Sequence, residues 1–347
     1  MWKPVAKRVG NCKGMELSRG HVALIEISSK SEWESLVAAS SQGTIFHSWD
    51  WQILIGQSRH GVVKFLGFRE GDSLLAACAL TFSKRKGVTI CRSSPTSVTP
   101  FGGLLFAPAQ GLPTRRVESR FDEIVSLINE YLKRESVHHA ILNNHCSLID
   151  VRAFLWSGWT ASLRYTYQQD LSDLPTLWKT MNNDIRRSYV KSERSGFAIS
   201  GGDPEEFYDL LKTTYEDKGQ VFGESFELIR ALHELIETKG RGKLLVARDQ
   251  GKAVAARYVL WDEKRGYYWL AGSKREYRTS GVNAYLTWKA LETLAGKART
   301  IDWCGANTPP IARYKSSFNP QLVPYYSVSR KTLLGMAAEK LYLFLNR

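Results

Sequence analysis

A chain of 347 residues is long for one domain and predicts two, and a 43% apolar content is enough to fill two hydrophobic cores. The formal net charge of +14 favours an anionic partner, such as nucleic acid, a nucleotide-containing cofactor or a membrane surface; a solvated basic surface is the alternative. The five cysteines are widely spaced and form no Cys-x-x-Cys pair, which argues against a disulfide framework and against a zinc site. Reduced cysteines in a chain of this size are typical of the cytoplasm.

The N-terminal segment carries no recognisable targeting signal. Residues 1–14 show no periodic pattern, so Met15 is a second candidate start beside Met1, and residues 1–20 are predicted to form a disordered extension. No apolar run follows the basic N-terminus, which excludes a signal peptide of the usual kind. No stretch reaches the roughly 18 apolar residues that a membrane span requires. These features predict a cytoplasmic protein.

The first predicted elements are a strand and a helix. Val22–Ile27 reads as the strand, and the helix runs to Ala39. Ser31 followed by Glu34 has the spacing of a capping box and predicts the start of this helix.

An aromatic segment follows, in which a turn leads into an apolar helix over Phe46–Ile55. Trp49 and Trp51 lie in this segment, and core packing is the commoner role of such aromatic side chains. Contact with a substrate is the alternative for Trp51.

Two hairpins in the sequence resemble each other. The first joins strands Val62–Arg69 and Ser73–Phe82 through the turn Glu70–Asp72. The segment Arg69–Ala77 aligns with Arg248–Ala256, because each is a strand end, an acidic turn and a second strand of small residues. An internal repeat of this kind indicates a duplicated domain.

The rest of the first half continues the alternation of strands and helices. A turn-rich loop over Ser93–Gly103 precedes the strand Leu104–Phe106, and Pro113–Glu135 has the pattern of an amphipathic helix. The strand His138–His145 contains three histidines, but neighbouring strand residues point to opposite faces and no ligand partner follows. We therefore predict no metal site.

The second half contains further strands and helices before its C-terminal part. The predicted elements are a strand over Trp159–Leu171, helices over Leu174–Met181, Pro204–Asp217 and Ser225–Lys239, and strands over Lys243–Arg248, Ala253–Trp261 and Gly266–Leu270.

A cationic helix is predicted next to the presumed domain junction, over Asn182–Gly196, with Asn183 or Asp184 as its N-cap and Gly196 as its stop. The spacing i, i+4, i+7 places three cations on one face: Arg187, Lys191 and Arg194. This face either contacts an anionic ligand or is a solvated surface.

The segment Gly266–Asn319 reads as strand, cationic glycine loop, helix, strand and cationic turn. The loop Ser273–Gly281 precedes the helix Val282–Lys297, and a helix N-terminus behind such a loop is suited to binding phosphate. Three cations add charge to this loop: Lys274, Arg275 and Arg278. The strand Thr300–Cys304 and the turn Arg313–Asn319 follow.

Several motifs resemble those of the FemAB-like acyltransferases, a branch of the GNAT superfamily that is also described as BioF2-like acetyltransferase domains. Arg278-x-x-Gly281-x-Asn283 is similar to the pyrophosphate loop Gln/Arg-x-x-Gly-x-Gly/Ala and departs from it at Asn283. Ile301–Asn307 resembles a Phe-Asp-Phe-Gly-Gly segment, and Tyr314-Lys315-x-x-Phe318 resembles Phe-Lys-x-x-Phe-Gly. Phe46–Trp51 resembles the N-terminal signature Phe-x-Ser-x-x-Trp.

This resemblance implies an α/β fold, an α+β mixed sheet built from tandem GNAT-like acyl-CoA N-acyltransferase units. The expected domains are residues 21–165 and residues 166–330, of which the second carries the donor site. Residues 331–347 are expected to form a separate apolar helix, which packs on the domain or lies on an anionic membrane surface at the inner face of the membrane.

The resemblance also implies an enzyme that transfers an acyl or aminoacyl group to an amine, with direct attack in a ternary complex. The donor is acyl-CoA, such as acetyl-CoA, or an aminoacyl-tRNA as in peptidyltransferases of the FemABX type. The implied donor-binding residues are Lys274, Arg275, Arg278, Gly281 and Asn283. Lys315, with Tyr314 beside it, would stabilise negative charge, and Asp302 is a candidate base with a structural role as the alternative.

The implied acceptor is a cell-envelope or polysaccharide precursor that carries an amine. Candidate substrate-binding residues are Trp51, Phe101, Gly102, Gly103, Arg187, Lys191 and Asn307. Ile55 occupies the region where muropeptide-binding relatives carry a lysine, which argues against a UDP-muramyl-peptide.

A function from another class is a non-catalytic basic protein that binds RNA or acidic lipid. The sequence shows no RNP-like motif, KH loop or helix-turn-helix pattern, which counts against this alternative. It also lacks a Gly-x-Ser-x-Gly elbow, so a covalent acyl-enzyme is not expected.

Overall fold

The computed structural model describes residues 17–19, 21–85, 87–109, 111–337 and 340. Within these residues, fourteen strands form one mixed sheet: β1 Leu17–Arg19, β2 Val22–Glu26, β3 Val62–Glu70, β4 Ser73–Arg85, β5 Val88–Arg92, β6 Leu105–Phe106, β7 His139–Asn143, β8 Thr160–Asp170, β9 Ala198–Ser200, β10 Gly242–Asp249, β11 Lys252–Trp261, β12 Gly266–Ser273, β13 Thr300–Asp302 and β14 Gln321–Lys331. The helices that cover this sheet are α1 Lys30–Ala39, α2 Trp49–Ser58, α3 Thr114–Arg134, α4 Arg152–Trp156, α5 Leu174–Thr180, α6 Asn183–Arg194, α7 Pro204–Glu216, α8 Phe226–Lys239, α9 Val282–Ala295 and α10 Pro309–Ser316.

The order of strands in the sheet is pseudo-symmetric. The strands follow the path β2-β3-β4-β5-β7-β14-β8-β13-β12-β11-β10-β9. Counted inward from the two ends, the equivalent strands are β2 and β9, β3 and β10, β4 and β11, β5 and β12, β7 and β13, and β14 and β8. We call the part from β2 to β8 the first unit and the part from β9 to β14 the second unit. Apart from the additional short strand β6 in the first unit, each unit contains a strand, two helices, three strands, a helix, a strand, a helix and a final strand. The predicted mixed α/β fold with two similar units is therefore confirmed.

The units exchange their final strands. β14 of the second unit pairs with β7 of the first, and β8 of the first unit pairs with β13 of the second. β8 and β14 also pair with each other over nine residue positions, from Thr160↔Ser329 to Gln168↔Gln321. The sheet is consequently continuous across the two units.

The repeated hairpins have the same irregularity at the same place. The register of β3 and β4 shifts between Phe68 and Arg69, and the register of β10 and β11 shifts between Ala247 and Arg248. These positions are equivalent in the alignment of the two sequence segments, which confirms the internal repeat.

Each unit contains one parallel pair of strands joined by a crossover helix. The pairs are β5 with β7 through α3, and β12 with β13 through α9. The apolar side of α3, with Phe121, Ile124 and Ile128, packs in one core, and α9 packs with Leu286 and Leu291 in another.

A third core combines side chains from both units. Trp51 and Phe101 of the first unit pack in the same cluster as Tyr258 and Trp269 of the second. The tryptophan rings of Trp51 and Trp269 meet edge to face with their centroids 5.3 Å apart. Trp51 is fully buried, so the expectation of core packing for this residue holds.

A buried carboxylate also joins the units. Glu224, in the loop between α7 and α8, accepts two hydrogen bonds from Arg59 at 2.7 and 2.8 Å. It also accepts hydrogen bonds of 2.7 Å from the backbone N–H and the hydroxyl of Ser97. Because Glu224 is almost fully buried, its charge depends on these partners.

Two predicted helix starts were wrong. Helix α1 is capped by Ser29, whose hydroxyl accepts a bond from the N–H of Glu32 at 3.2 Å, and not by Ser31. Helix α6 is capped by Asn182, whose side chain accepts from the N–H of Asp184, and not by Asn183 or Asp184. In both cases a neighbouring residue of a capping type satisfies the free N–H groups of the first turn.

The sequence analysis also missed several short or irregular elements: β5, β9, α4, α10 and β14. Strand β14 contains Pro324, a residue that is depleted in strands, and it obtains partners on both sides only through the exchange between units.

The predicted terminal segments lie mainly outside the described residues. Of the predicted N-terminal extension, Leu17–Arg19 pair with β2, and residues 1–16 and 20 are not described. Of the predicted C-terminal helix, Lys331 ends β14 and residues 333–337 are helical, whereas residues 338, 339 and 341–347 are not described. None of the helices in the described ranges is long and apolar enough to cross a membrane.

Removal of the buried charge between the units should destabilise the fold. We expect Glu224→Gln to lower the free energy of unfolding by about 1–3 kcal/mol, since it weakens several charge-assisted hydrogen bonds in a buried place. Urea denaturation measures this change. Glu263→Gln is the matched control, because Glu263 pairs with Arg241 on the surface and should change stability little. Equal stability of the two variants would contradict this role of Glu224.

Candidate active site

The second unit is open at one end of its parallel strand pair. β12 and β13 pair only at Gly266↔Ile301 and Tyr267↔Asp302. Beyond these two pairs β12 continues to Ser273, whereas the chain after Asp302 bends away. The two strands diverge beyond Tyr267 and Asp302, and this divergence makes the end of the strand pair the candidate site.

A short loop connects β12 to α9 at this open end. Gly281 is the N-cap of α9 and has a φ of 89°, in the left-handed region that favours glycine. A Cβ at Gly281 would lie 2.1 Å from the carbonyl oxygen of Ser188 on α6. Glycine is thus required here both for the turn and for the close approach of α6.

The predicted donor-binding cations lie in the loop that leads from β12 to α9. Arg278 forms an ion pair of 2.8 Å with Asp217, Arg275 is exposed and Lys274 is half-buried. Lys191 of α6 donates a hydrogen bond of 3.2 Å to the carbonyl of Thr279, so the cationic helix and the cationic loop are adjacent. Their binding of a donor remains a prediction.

Polar side chains of β11 and α10 hydrogen-bond to the first turn of α9. The side-chain oxygen of Asn283 accepts a hydrogen bond of 2.7 Å from Arg257 on β11. The hydroxyl of Tyr314 on α10 donates to the backbone carbonyl of Asn283 at 3.0 Å and lies 2.8 Å from the hydroxyl of Thr287. Burial raises the pKa of Tyr314 to about 12, so its hydroxyl keeps its proton at neutral pH.

Lys315, the residue after Tyr314, is only 8% exposed. Its ammonium donates hydrogen bonds to the carbonyl of Trp303 at 2.5 Å and to the carbonyl of Gly305 at 2.8 Å. Burial lowers the pKa of Lys315 to about 8, because the charged form loses solvation. Two of the three N–H groups of the ammonium are occupied, and one remains for a ligand.

Asp302 lies at the end of β13 and is fully buried. One carboxylate oxygen accepts hydrogen bonds of 2.7 Å from the hydroxyl of Thr166 and from the N–H of Cys304. The other oxygen, Oδ2, has no hydrogen-bond partner in the described part of the chain. Burial raises the pKa of Asp302, and its two hydrogen bonds oppose this rise. A carboxylate with a raised pKa and a free oxygen is suited to accept a proton.

In the first unit, the chain itself fills the equivalent open end. The N–H of Gly102 donates to the carbonyl of Asn143 at 3.0 Å, and the N–H of Leu104 donates to the side chain of Asn144 at 3.1 Å. A Cβ at Gly102 or Gly103 would lie 2.2 Å or 2.1 Å from neighbouring atoms. These glycines serve close packing in the first unit.

The predicted substrate-binding residues fall into two groups. Four are packed in the interior: Trp51, Phe101, Gly102 and Gly103. Three are exposed: Arg187, Lys191 and Asn307. Asn307 is held by Tyr165, since it accepts from the N–H of Tyr165 at 2.8 Å and donates to its carbonyl at 3.0 Å. Only the exposed group can contact a ligand without rearrangement of the fold, and this contact remains a prediction.

Sequence reasoning missed Arg257, Thr166 and Thr287, which hold the predicted site residues in place. Arg257 gave a signal, because it is a charged residue inside the apolar strand Ala253–Trp261. The two threonines gave none, since threonine is common in strands and helices alike.

The chain is similar to known proteins both in sequence and in structure. Residues 179–316 match the family described as acetyltransferase (GNAT) domain. A structure titled "Crystal structure of FemX" is similar with a TM-score of 0.69 and 10% identity, over 93% of this chain and 100% of that one. A tandem GNAT protein from the clavulanic acid biosynthesis pathway is similar with a TM-score of 0.55 and 11% identity, over 89% and 98%.

L-PGS from Bacillus licheniformis is similar with a TM-score of 0.54 and 12% identity, over 89% of this chain and 94% of that one. No curated protein matches the chain. At these identities the structural matches show a shared fold. Together with the family match, they confirm the expected resemblance to FemAB-like GNAT proteins.

The environment of Lys315 predicts an unusual titration. We expect its ammonium to be charged below pH 8 and neutral above it, whereas an ordinary lysine titrates at about 10.4. NMR titration of ¹³C-labelled lysine side chains measures this value, and Lys315→Met identifies the resonance. If the Lys315→Met variant still shows every resonance of the wild type that titrates near pH 8, the burial of Lys315 is contradicted.

Proposed function

We propose that this protein, whose residues 179–316 match an acetyltransferase (GNAT) domain, transfers an acyl group from acyl-CoA to an amine acceptor. The observation that carries the proposal is the position of Lys315 and Asp302. Asp302 is in the last pair of β12 and β13, and Lys315 binds the backbone directly after it. A cation and a carboxylate at this place supply the two functions that acyl transfer requires.

The donor would bind with its phosphate groups at the start of α9. The backbone N–H groups of a helix N-terminus favour anions, and the loop cations Lys274, Arg275 and Arg278 add charge at the rim. Gly281 supports this arrangement, because its left-handed backbone turns the loop directly into the helix.

Lys315 would stabilise the oxyanion that forms when the acceptor attacks the acyl carbonyl. Its two bonds to backbone carbonyls fix the ammonium, and the remaining N–H can donate to the carbonyl oxygen. Because the pKa of Lys315 is about 8, the ammonium is mostly charged at pH 7 and loses this role at higher pH.

Asp302 would accept the proton from the attacking amine. The new C–N bond forms as the C–S bond of the thioester breaks; the amine nitrogen then loses a second proton, which passes to the leaving sulfur, and CoA leaves as the thiol. Cys304 is the nearest thiol, but burial holds its pKa well above the usual range, so it stays protonated and is a poor nucleophile. Direct attack by the amine is therefore favoured over a covalent acyl-enzyme.

A second candidate donor is aminoacyl-tRNA, which the exposed cations of α6 favour. The side chain of Arg187 is 81% exposed, and Arg194 is exposed as well. Such a surface suits the phosphates of an RNA that extends beyond the site. The same Lys315 and Asp302 would act on the aminoacyl ester.

We extend the proposal to the acceptor and to the location. The acceptor would be an amine on a cell-envelope or polysaccharide precursor, as the family resemblance implies. The reaction would take place in the cytoplasm or at the inner face of the membrane. The cysteines within the described ranges are free thiols, in agreement with a reducing compartment.

The catalytic proposal predicts a separation of binding from turnover. We expect Asp302→Asn to bind acetyl-CoA as the wild type does and to lose acyl transfer by about 100-fold or more, because the amine keeps its proton. Calorimetry measures binding, and thiol release with a panel of amino sugars and amino acids measures transfer. Asp170→Asn is the matched control, since Asp170 is exposed on β8 and pairs with Arg299.

Two other outcomes would count against the proposal. Full activity of Asp302→Asn would remove Asp302 from the reaction. Absence of binding by the wild type to acyl-CoA of any chain length would remove acyl-CoA as donor, and charged tRNA would then be titrated.

A further inference from the structure

Arg257 lies on β11 below the first turn of α9 and is only 4% exposed. Its guanidinium donates to the carbonyl of Ala256 at 2.7 Å, to the carbonyl of Gly272 at 3.3 Å and to the hydroxyl of Thr287 at 3.3 Å. Its last bond, of 2.7 Å, goes to the side-chain oxygen of Asn283. Every one of these partners is neutral.

This buried charge has no counter-charge in the described part of the chain. Asp217 and Asp249, acidic residues near the start of α9, are occupied by Arg278 and Tyr277. A buried guanidinium is normally paired, because an isolated charge loses its solvation. The N-terminus of α9 also carries a partial positive charge, which makes the position of Arg257 less favourable still. The guanidinium of Arg257 and the N-terminus of α9 are therefore two positive groups close together without an anion.

Asn283 connects the two features. Because its side-chain oxygen accepts from Arg257, its Nδ2 group must point elsewhere, and this group has no hydrogen-bond partner among the described residues. An amide donor on the first turn of a helix is suited to bind an anion. Asn283 also occupies the position where the resembling loop has glycine or alanine, so the link to Arg257 depends on this departure.

We infer that Arg257 is a positioning residue whose buried charge, acting through Asn283, completes an anion receptor for the phosphate groups of the donor. The inference rests on the proposed function, because it takes the donor as the source of the anion. CoA and tRNA share this phosphate chemistry. The receptor consists of the amide of Asn283, the N–H groups at the start of α9 and the charge of Arg257 behind them.

The variant Asn283→Asp separates this role from a structural one. It places a carboxylate at the atom that already accepts from Arg257, and an acidic residue in the first turn of a helix is favourable. We expect thermal stability to be retained or raised. The new carboxylate should nevertheless weaken the binding of inorganic pyrophosphate and of CoA by about tenfold or more, since it neutralises Arg257 and repels the anion. A carboxylate at residue 283 would also repel the anion directly, so the part played by Arg257 needs a second variant: if Arg257 served packing alone, its replacement would leave binding unchanged.

Arg257→Met is the second variant. It should weaken the binding of pyrophosphate and of CoA by a similar factor. In transfer assays it should raise the KM for the donor and leave kcat unchanged. Arg230→Met is the matched control, because Arg230 is an exposed cation on α8. Calorimetry measures binding, and thermal unfolding measures stability. A folded Asn283→Asp protein that binds pyrophosphate as tightly as the wild type would overturn the inference, and so would a wild type that fails to bind pyrophosphate. Wild-type binding of pyrophosphate without binding of CoA would support the receptor and remove acyl-CoA as donor.

Discussion

The separation of two parallel strands after only two residue pairs determines the geometry of the candidate site in the second unit. β12 and β13 diverge beyond Tyr267 and Asp302, and the crossover helix that joins them begins directly at the opening. Because β12 and β13 no longer pair beyond this point, the carbonyls of Trp303 and Gly305 are not part of the ladder between them, and they bind the ammonium of Lys315. The carboxylate, the cation and the helix N-terminus are therefore held together by one feature of the sheet.

The two units share the same fold, but the first unit does not repeat this opening. Both units have the same order of elements and the same strand pairing, including the shift in the first hairpin. In the first unit a longer connection between β5 and α3 returns into the opening and fills it with Gly102 and Gly103. The first unit then contributes its final strand, its half of a shared core and the partners of Glu224.

Much of the fold and part of the site could be predicted from the sequence. The hairpin repeat predicted two units, and the order of strand, cationic loop and helix predicted β12, the loop after it and α9. The start of α1 could not be predicted, because Ser29 and Ser31 are each followed by a glutamate three residues later. The exchange of β8 and β14 could not be predicted either, since it depends on pairing between distant segments. The contacts of Arg257 with α9 could not be predicted either, because the partners of a charged side chain inside a strand are known only from the fold.

The central claim is that a phosphate-containing donor binds at the open end of the second unit and not at the equivalent place in the first. Hydrogen–deuterium exchange of the wild type with and without CoA tests it most directly. The account predicts slower exchange over residues 279–286 and 303–306 when CoA is present, with no change over residues 93–104. Slower exchange over residues 93–104 alone, or no change in any segment at saturating CoA, would contradict it.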